Sequence, residues 1–312
     1  MNSSFSYAIH NGVIVDTPEA CEYQWHHYDL SDDQYLLNIE QEVDIPVFAR
    51  RALVSEATRP RLESFDQGVL VILRGVNLNE DSRPEDMISV RIWLQENKII
   101  TAHFRDSQSI ELLRQQVQNG KVPKSSSGLL SELTALLFEK IEVAIMDLDT
   151  QVDDIEEGLT TGSDIKEDRE KISNIRKKII AYKRHLMPQR EAVRQLRGLQ
   201  LSWLHDSHHN FHSESYEKII RSLEDLEALR DRLTVVKEEV FQMLSDRLNR
   251  NTYVLSIVAA VFLPLGFLTG LLGINISGIP GADYPHAFWA FCGVLLVLSV
   301  AQIVFFRRMK WI

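Results

Sequence analysis

The chain has 312 residues, 45% of them hydrophobic and 25% charged, and carries a formal net charge of -10 at pH 7. That length allows one cored domain plus a further structural region, and that charge excludes nucleic acid as a partner. The average hides a split, because neither 251–282 nor 287–306 contains a charged side chain.

The N-terminus, MNSSFSYAIHNG, lacks a positive stretch followed by an apolar run, so no cleaved signal peptide is expected. Cys21 and Cys292 form no C-x-x-C and are expected as reduced thiols. Residues 1–124 read as a small α/β domain. Strands are expected at 35–39, 68–76, 88–94 and 98–104, with a hairpin turn at Gln95-Glu96-Asn97 and helix within 44–57. The stretch KVPKSSSG at 121–128 reads as a linker.

The period then becomes helical, and 129–212 is expected to hold two long helices. Leu133, Leu137, Ile141, Ile145, Leu148, Val152 and Ile155 mark one, which a break at 158–162 ends. The second runs from Asp164 to about 201, with an acidic first turn and a kink expected at Pro188. Between 147 and 170 lie ten acids against Lys166 and Arg169. They suit either an electrostatic lure for cations or a solvated acidic tip. The run LHDSHHNFH places His205, His208, His209 and His212 in an expected turn. That spacing can suit Zn2+ ligation, but an exposed polar loop is the account the sequence favours.

From Ser213 a third helix carries apolar residues at three- and four-residue steps, among them Tyr216, Ile219, Leu223, Leu226, Leu229, Leu233, Val236, Val240 and Leu248. No Gly or Pro interrupts it before Pro264. Residues 213–252 form a stalk and 253–273 a first membrane span. As one helix, 213–273 would reach about 90 Å; the alternative is a break near Asn249. A stripe that long needs partner copies. The loop 274–286 and a second span, 287–306, follow, then a basic tail at 307–312. Both spans match the ~20 residues that cross a bilayer, and membrane helices tolerate Pro264 and the glycines of the first.

Arg247, Arg250, Arg307, Arg308 and Lys310 flank the spans, whereas the loop has no Lys or Arg. Both termini are therefore expected in the cytoplasm. Thr252, Ser256, Ala259, Leu263, Gly266, Gly270 and Gly273 share one face of the first span. Two helices enclose no lumen, so a water-filled path needs several chains. Close helix packing is the other account of the small residues.

The run YVLSIVAAVFLPLGFLTGLLGIN at 253–275, with its mid-helix Pro-Leu and its closing Gly-Ile-Asn, resembles the pore helix of the CorA superfamily, which closes with Gly-Met-Asn. Ile274 replaces the Met. The Gly-Ile-Asn form followed by Gly-Ile-Pro-Gly is similar to the ZntB zinc-transporter branch. LRGVNLN at 73–79, PEDMISVRIW at 84–93 and RRMKW at 307–311 extend the likeness. The resemblance implies an α+β membrane protein. Five copies would form a funnel, with stalk helices leading into an inner ring and the second spans around it. It implies a bacterial inner-membrane zinc importer with proton coupling. It places Asn249, Thr252, Leu255, Ser256, Ala259, Leu263 and Gly266 along the path and Gly273, Ile274 and Asn275 at the entrance filter.

A ring of Asn275 amides offers neutral oxygens to a hydrated cation, which suits Mg2+. Zinc prefers nitrogen and sulfur, so zinc follows from the resemblance alone. Asp283 would add an anionic ring at the mouth. His286 beside it is either a metal ligand or a polar interfacial side chain. Neither span holds a carboxylate or His for a proton relay. No Walker loop, H-E-x-x-H or G-x-S-x-G occurs, so no enzyme is expected. The ion is cargo and no cofactor is expected. A Mg2+/Co2+ channel and a non-conducting membrane-anchored scaffold are the alternatives.

Overall fold

The computed structural model describes residues 4–16, 21–161, 164–201, 203, 207–274, 281 and 284–309, with the backbone alone for Asp33 and residues 207–211. Two apolar runs, GVLVILRG and ISVRIWL, form the central strands β5 (Gly68–Gly75) and β6 (Ile88–Leu94). Both are buried along almost their whole length, so the sheet is covered on its two faces. Around them lie β1 (Phe5–His10), β2 (Val13–Val15), β3 (Tyr23–Asp29), β4 (Arg61–Phe65) and β7 (Lys98–His103). The seven strands run in the order β2-β1-β3-β7-β6-β5-β4. Only β3 and β7 pair in parallel.

One face packs on α1 (Asp33–Gln41) and α2 (Val47–Val54). There Ile39, Ala49 and Leu53 meet Leu70, Ile72, Trp93 and Ile100 in one buried cluster. The other face receives α4 (Ser126–Thr161) and α5 (Ile165–Arg197), while α3 (Gln108–Gln118) packs on α4. Gly75 permits that approach, since a Cβ there would stand 2.6 Å from Leu137.

Three local expectations change. Residues 35–39 are helical, not extended. Asp32 caps α1 by accepting from the Gln34 N–H at 3.0 Å, which fixes the helix start. The 121–128 segment is a linker only in its first half, because α4 begins at Ser126, whose hydroxyl donates to the Gln95 carbonyl at 2.7 Å. Gly158 does not break α4, which continues to Thr161. Asp164 caps α5 through the Lys166 N–H at 2.9 Å, and Pro188 lies inside α5 without ending it.

Helix α6 (Ser207–Gly273) has 67 residues and passes Asn249 without a break. Its buried positions are His212, Ser215, Ile219, Ser222, Leu226, Leu229, Leu233, Val236 and Val240. These steps of three and four make a narrow seam. The seam differs from the expected stripe, since serines 215 and 222 take the place of Tyr216 and Leu223, which are half-buried. The last helix is α7 (Ala287–Arg308). The chain divides into two compact units, Met1–Lys237 and Glu238–Ile312.

Candidate ion pathway

In the second unit, α6 and α7 each contain a stretch long and apolar enough to cross a membrane, with a mean hydropathy of 2.3. Along α6, Ile257, Val261, Leu265 and Leu268 are half-covered. Along α7 the half-covered or buried positions are Ala287, Phe291, Cys292, Leu295, Ser299, Gln302 and Phe306. Most of these positions recur at helical spacing along one side of each helix.

The face of α6 opposite its stripe holds the sequence-derived pathway residues. At about 100° per residue, Leu263 stands roughly 200° around the axis from Val261. Asn249, Thr252, Leu255, Ser256, Leu263 and Gly266 are exposed, and Ala259 is half-covered. The Ser256 hydroxyl donates to the Thr252 carbonyl at 2.8 Å, and Thr269 to the Gly266 carbonyl at 3.1 Å. Each proton is satisfied within the helix, so each oxygen keeps its lone pairs for water. Gly266, Gly270 and Gly273 have open space where a Cβ would stand.

Gly273 ends α6, and Ile274, which follows it, is 46% exposed. Asn275 and Asp283 lie outside the described residues. His286 occupies the N-cap of α7 without a side-chain capping bond, its ring 6.0 Å from that of Tyr284. Arg247, Arg250, Arg307 and Arg308 are exposed.

The described part of the histidine run falls in a different element than expected. His205 lies outside the described residues. His208, His209 and His212 belong to the first turns of α6, not to a turn between helices, because the helix begins at Ser207. His212 is buried at 1% exposure, which rules out an exposed loop at that position. Among the described residues, no three His, Cys, Asp or Glu side chains gather as a metal set.

The acidic run is partly neutralised. Arg232 of α6 reaches Asp149 at 2.7 Å, Asp153 at 2.6 Å and Glu156 at 2.7 Å on α4, and Glu156, then Asp153, raise its pKa. Lys171 pairs with Glu167 at 2.8 Å.

Sequence reasoning singled out none of the buried polar groups at the centre of the sheet. His27 and His103, on neighbouring strands, bring their Nε2 atoms to 2.9 Å. The His27 Nδ1 lies 2.8 Å from the Thr101 hydroxyl, which accepts from the Trp25 indole N–H at 2.9 Å. The available signal was the alternation of Tyr23, Trp25 and His27, all buried, in a stretch whose polar residues conceal the strand period.

Residues 21–308 match the family described as CorA-like Mg2+ transporter protein. The divalent cation transporter CmaX of Pseudomonas aeruginosa is 34% identical over 289 residues, covering 92% of this chain and 87% of its own. The zinc transport protein ZntB of Pectobacterium atrosepticum is 31% identical over 299 residues, covering 96% and 90%. The full-length CmaX structure superposes with a TM-score of 0.83 at 32% identity, covering 98% of this chain and 97% of its own. The CorA magnesium transporter of Methanocaldococcus jannaschii shares the fold, with a TM-score of 0.85 at 20% identity and full coverage of both chains. Matched along nearly its whole length in sequence and in fold, and carrying two apolar helices at its C-terminal end, the chain belongs to the CorA-like Mg2+ transporter family.

Proposed function

We propose that this CorA-family divalent-cation transporter, which is not an enzyme, carries Zn2+ into the cell along the shared axis of a homopentamer in a bacterial inner membrane. The observation that carries the reading is the side of α6 turned away from its half-covered stripe. It presents small or hydroxylated residues at helical steps, of which Thr252, Ser256 and Gly266 are exposed and Ala259 is half-covered. Zinc is supported by the ZntB relatives, which are named as zinc transport proteins. Both termini are placed inside because the connecting loop lacks Lys and Arg. An interior-negative potential of 100 mV then contributes about 4.6 kcal/mol to the inward movement of a divalent ion, at roughly 2.3 kcal/mol per charge.

Asn275, directly after Gly273 and Ile274, would set the entrance, and Asp283 and His286 would flank it. The apolar stretches hold no carboxylate or His, so cotransported protons would travel with water rather than along a side-chain relay. A second reading, a Mg2+/Co2+ channel, has its own support. A neutral amide ring suits a cation that keeps its hydration shell.

Proteoliposome uptake tests both. Wild type should accumulate Zn2+, and Asn275→Ala should lower that uptake at least tenfold. Zinc uptake resistant to excess Mg2+ and Co2+ favours the zinc transporter, while strong inhibition by Mg2+ favours the channel. Absence of flux for every ion would leave only a membrane-anchored scaffold.

A further inference from the structure

The first unit holds a concentration of positive charge that cation transport does not require. A cavity of ≈ 490 Å³ opens beside α5, lined by Arg59, Arg74, Arg184 and His185 together with Thr58 and Pro188, and no carboxylate lines it. Among the described residues, none of these four basic side chains has an ion-pair partner. Arg74 spends its two Nη groups on main-chain carbonyls, those of Met87 and Thr58, each at 2.7 Å. Its Nε is buried without a hydrogen-bond partner.

Burial first, and mutual repulsion second, bear on the titration of the group. Burial, then the Arg184 and Arg105 charges, lower the Arg74 pKa. Burial, then Arg74 and Arg184, push His185 down to about 4, against the opposing pull of Asp86. In a chain of net charge -10, the three arginines form a local excess of positive charge, and the residues that line the cavity supply no carboxylate to meet it.

The wall is also held in place. Gln189, fully buried, accepts from the Arg74 N–H at 2.6 Å and donates to the Arg74 carbonyl at 3.1 Å. One side-chain amide thus ties β5 to α5 beside the cavity. Arginine forks are suited to the paired oxygens of a phosphate. A multivalent oxyanion would compensate several of these charges at once, which a monovalent spherical ion does less well.

We propose that this cavity is a binding site for a phosphate-class oxyanion, supplied either as inorganic phosphate or as the terminal phosphates of a nucleotide. The test is calorimetric titration of the full chain, purified in a neutral detergent with constant chloride. The two probes are inorganic phosphate and a non-hydrolysable nucleoside triphosphate. The variants are Arg184→Gln and the double change R59Q/R184Q. Both side chains are exposed, and circular dichroism checks that the fold persists.

Wild type should bind at least one probe saturably, Arg184→Gln should weaken that binding at least tenfold, and the double variant should abolish it. Equal affinity for the two probes assigns the site to inorganic phosphate, and a stronger nucleotide response assigns it to nucleotide. Absence of saturable binding of either probe at millimolar concentration overturns the proposal. Unchanged binding by the double variant also overturns it. So does a wild type that binds neither probe while the double variant loses its oligomeric state, because the charges would then serve contact between copies.

Discussion

His27 and His103 stand on the parallel pair β3 and β7 and are 1% and 2% exposed. The Trp25 indole donates to the Thr101 oxygen, whose own proton has two acceptors in reach, His27 Nδ1 at 2.8 Å and the His26 carbonyl at 3.4 Å, and we assign it to the nearer, His27 Nδ1. His27 then carries its own proton on Nε2 and donates to His103 Nε2; this tautomer is inferred from the donor sequence. Both rings are held neutral. Burial, then the neighbouring His103, drives His27 well below its ordinary 6.5, and burial lowers His103 against the pull of Asp29 and Asp106. An unfolded chain takes up protons near 6.5 while the folded chain resists. Stability is therefore complete above that pH and falls as pH drops below it. His103→Leu leaves the His27 Nε2–H without an acceptor and should cost ~1–3 kcal/mol at pH 7.5. It also removes one of the two resisting groups, so the further loss between pH 7.5 and 5 should be shallower than in wild type. Thermal unfolding followed by tryptophan fluorescence at the two pH values measures both effects. Parallel curves for wild type and variant would sink the account.

Helices α4 and α6 are joined by a single guanidinium shared among Asp149, Asp153 and Glu156. All four side chains are more than a third exposed, so water and salt weaken each pair. Arg232→Gln should therefore cost only ~1 kcal/mol at low salt, and the deficit should shrink in 0.5 M NaCl. Chemical denaturation at the two salt concentrations reads this, and a salt-independent loss would mean that Arg232 acts by packing. Such ties between distant segments also mark where sequence reasoning stops. The strands β5, β6 and β7 and the two apolar helices were legible because period and composition carry them. The Asp164 cap was legible as an acidic helix start. Helix α1 was misread because residues 35–39 form a short apolar run, which period alone does not assign. Strand β3 was missed because its buried His27 is satisfied by Thr101 and His103, more than seventy residues away. Ser126 looked like linker and is held by the Gln95 carbonyl. At the candidate site, the exposed face of α6 was legible from its small residues, whereas the arginine-lined cavity was not, since its members come from three separate stretches.

At the scale of the whole molecule, the second unit carries an apolar column that a single copy leaves uncovered. Phe241, Leu248, Leu255 and Phe262, each seven residues from the next, are 72%, 59%, 68% and 67% exposed. A seven-residue repeat on a 3.6-residue helix drifts by about 20° per heptad. The column therefore stays near the small-residue face of α6 and suits a supercoiled contact with neighbouring copies. Lipid does not explain its lower part, because Leu248 lies between the exposed charges Arg247 and Arg250. In an isolated chain Phe241 and Leu248 would stand in water, and burying such a side chain stabilises by about 1.5–3 kcal/mol. Leu248→Glu removes that contribution at every contact and brings like charges together around the axis. Each ~1.4 kcal/mol lost weakens association tenfold, so the variant should dissociate at protein concentrations where wild type stays assembled. Val235→Glu, also at an exposed site (64%) but displaced about 120° around the helix from Phe241, should leave assembly intact. Native mass spectrometry in detergent distinguishes the two. The proposed zinc uptake, measured in proteoliposomes, should vanish with the first variant and survive the second. An L248E protein that remains oligomeric and conducts would remove the column from the proposed assembly interface, and with it the support for the proposed pathway between the α6 faces.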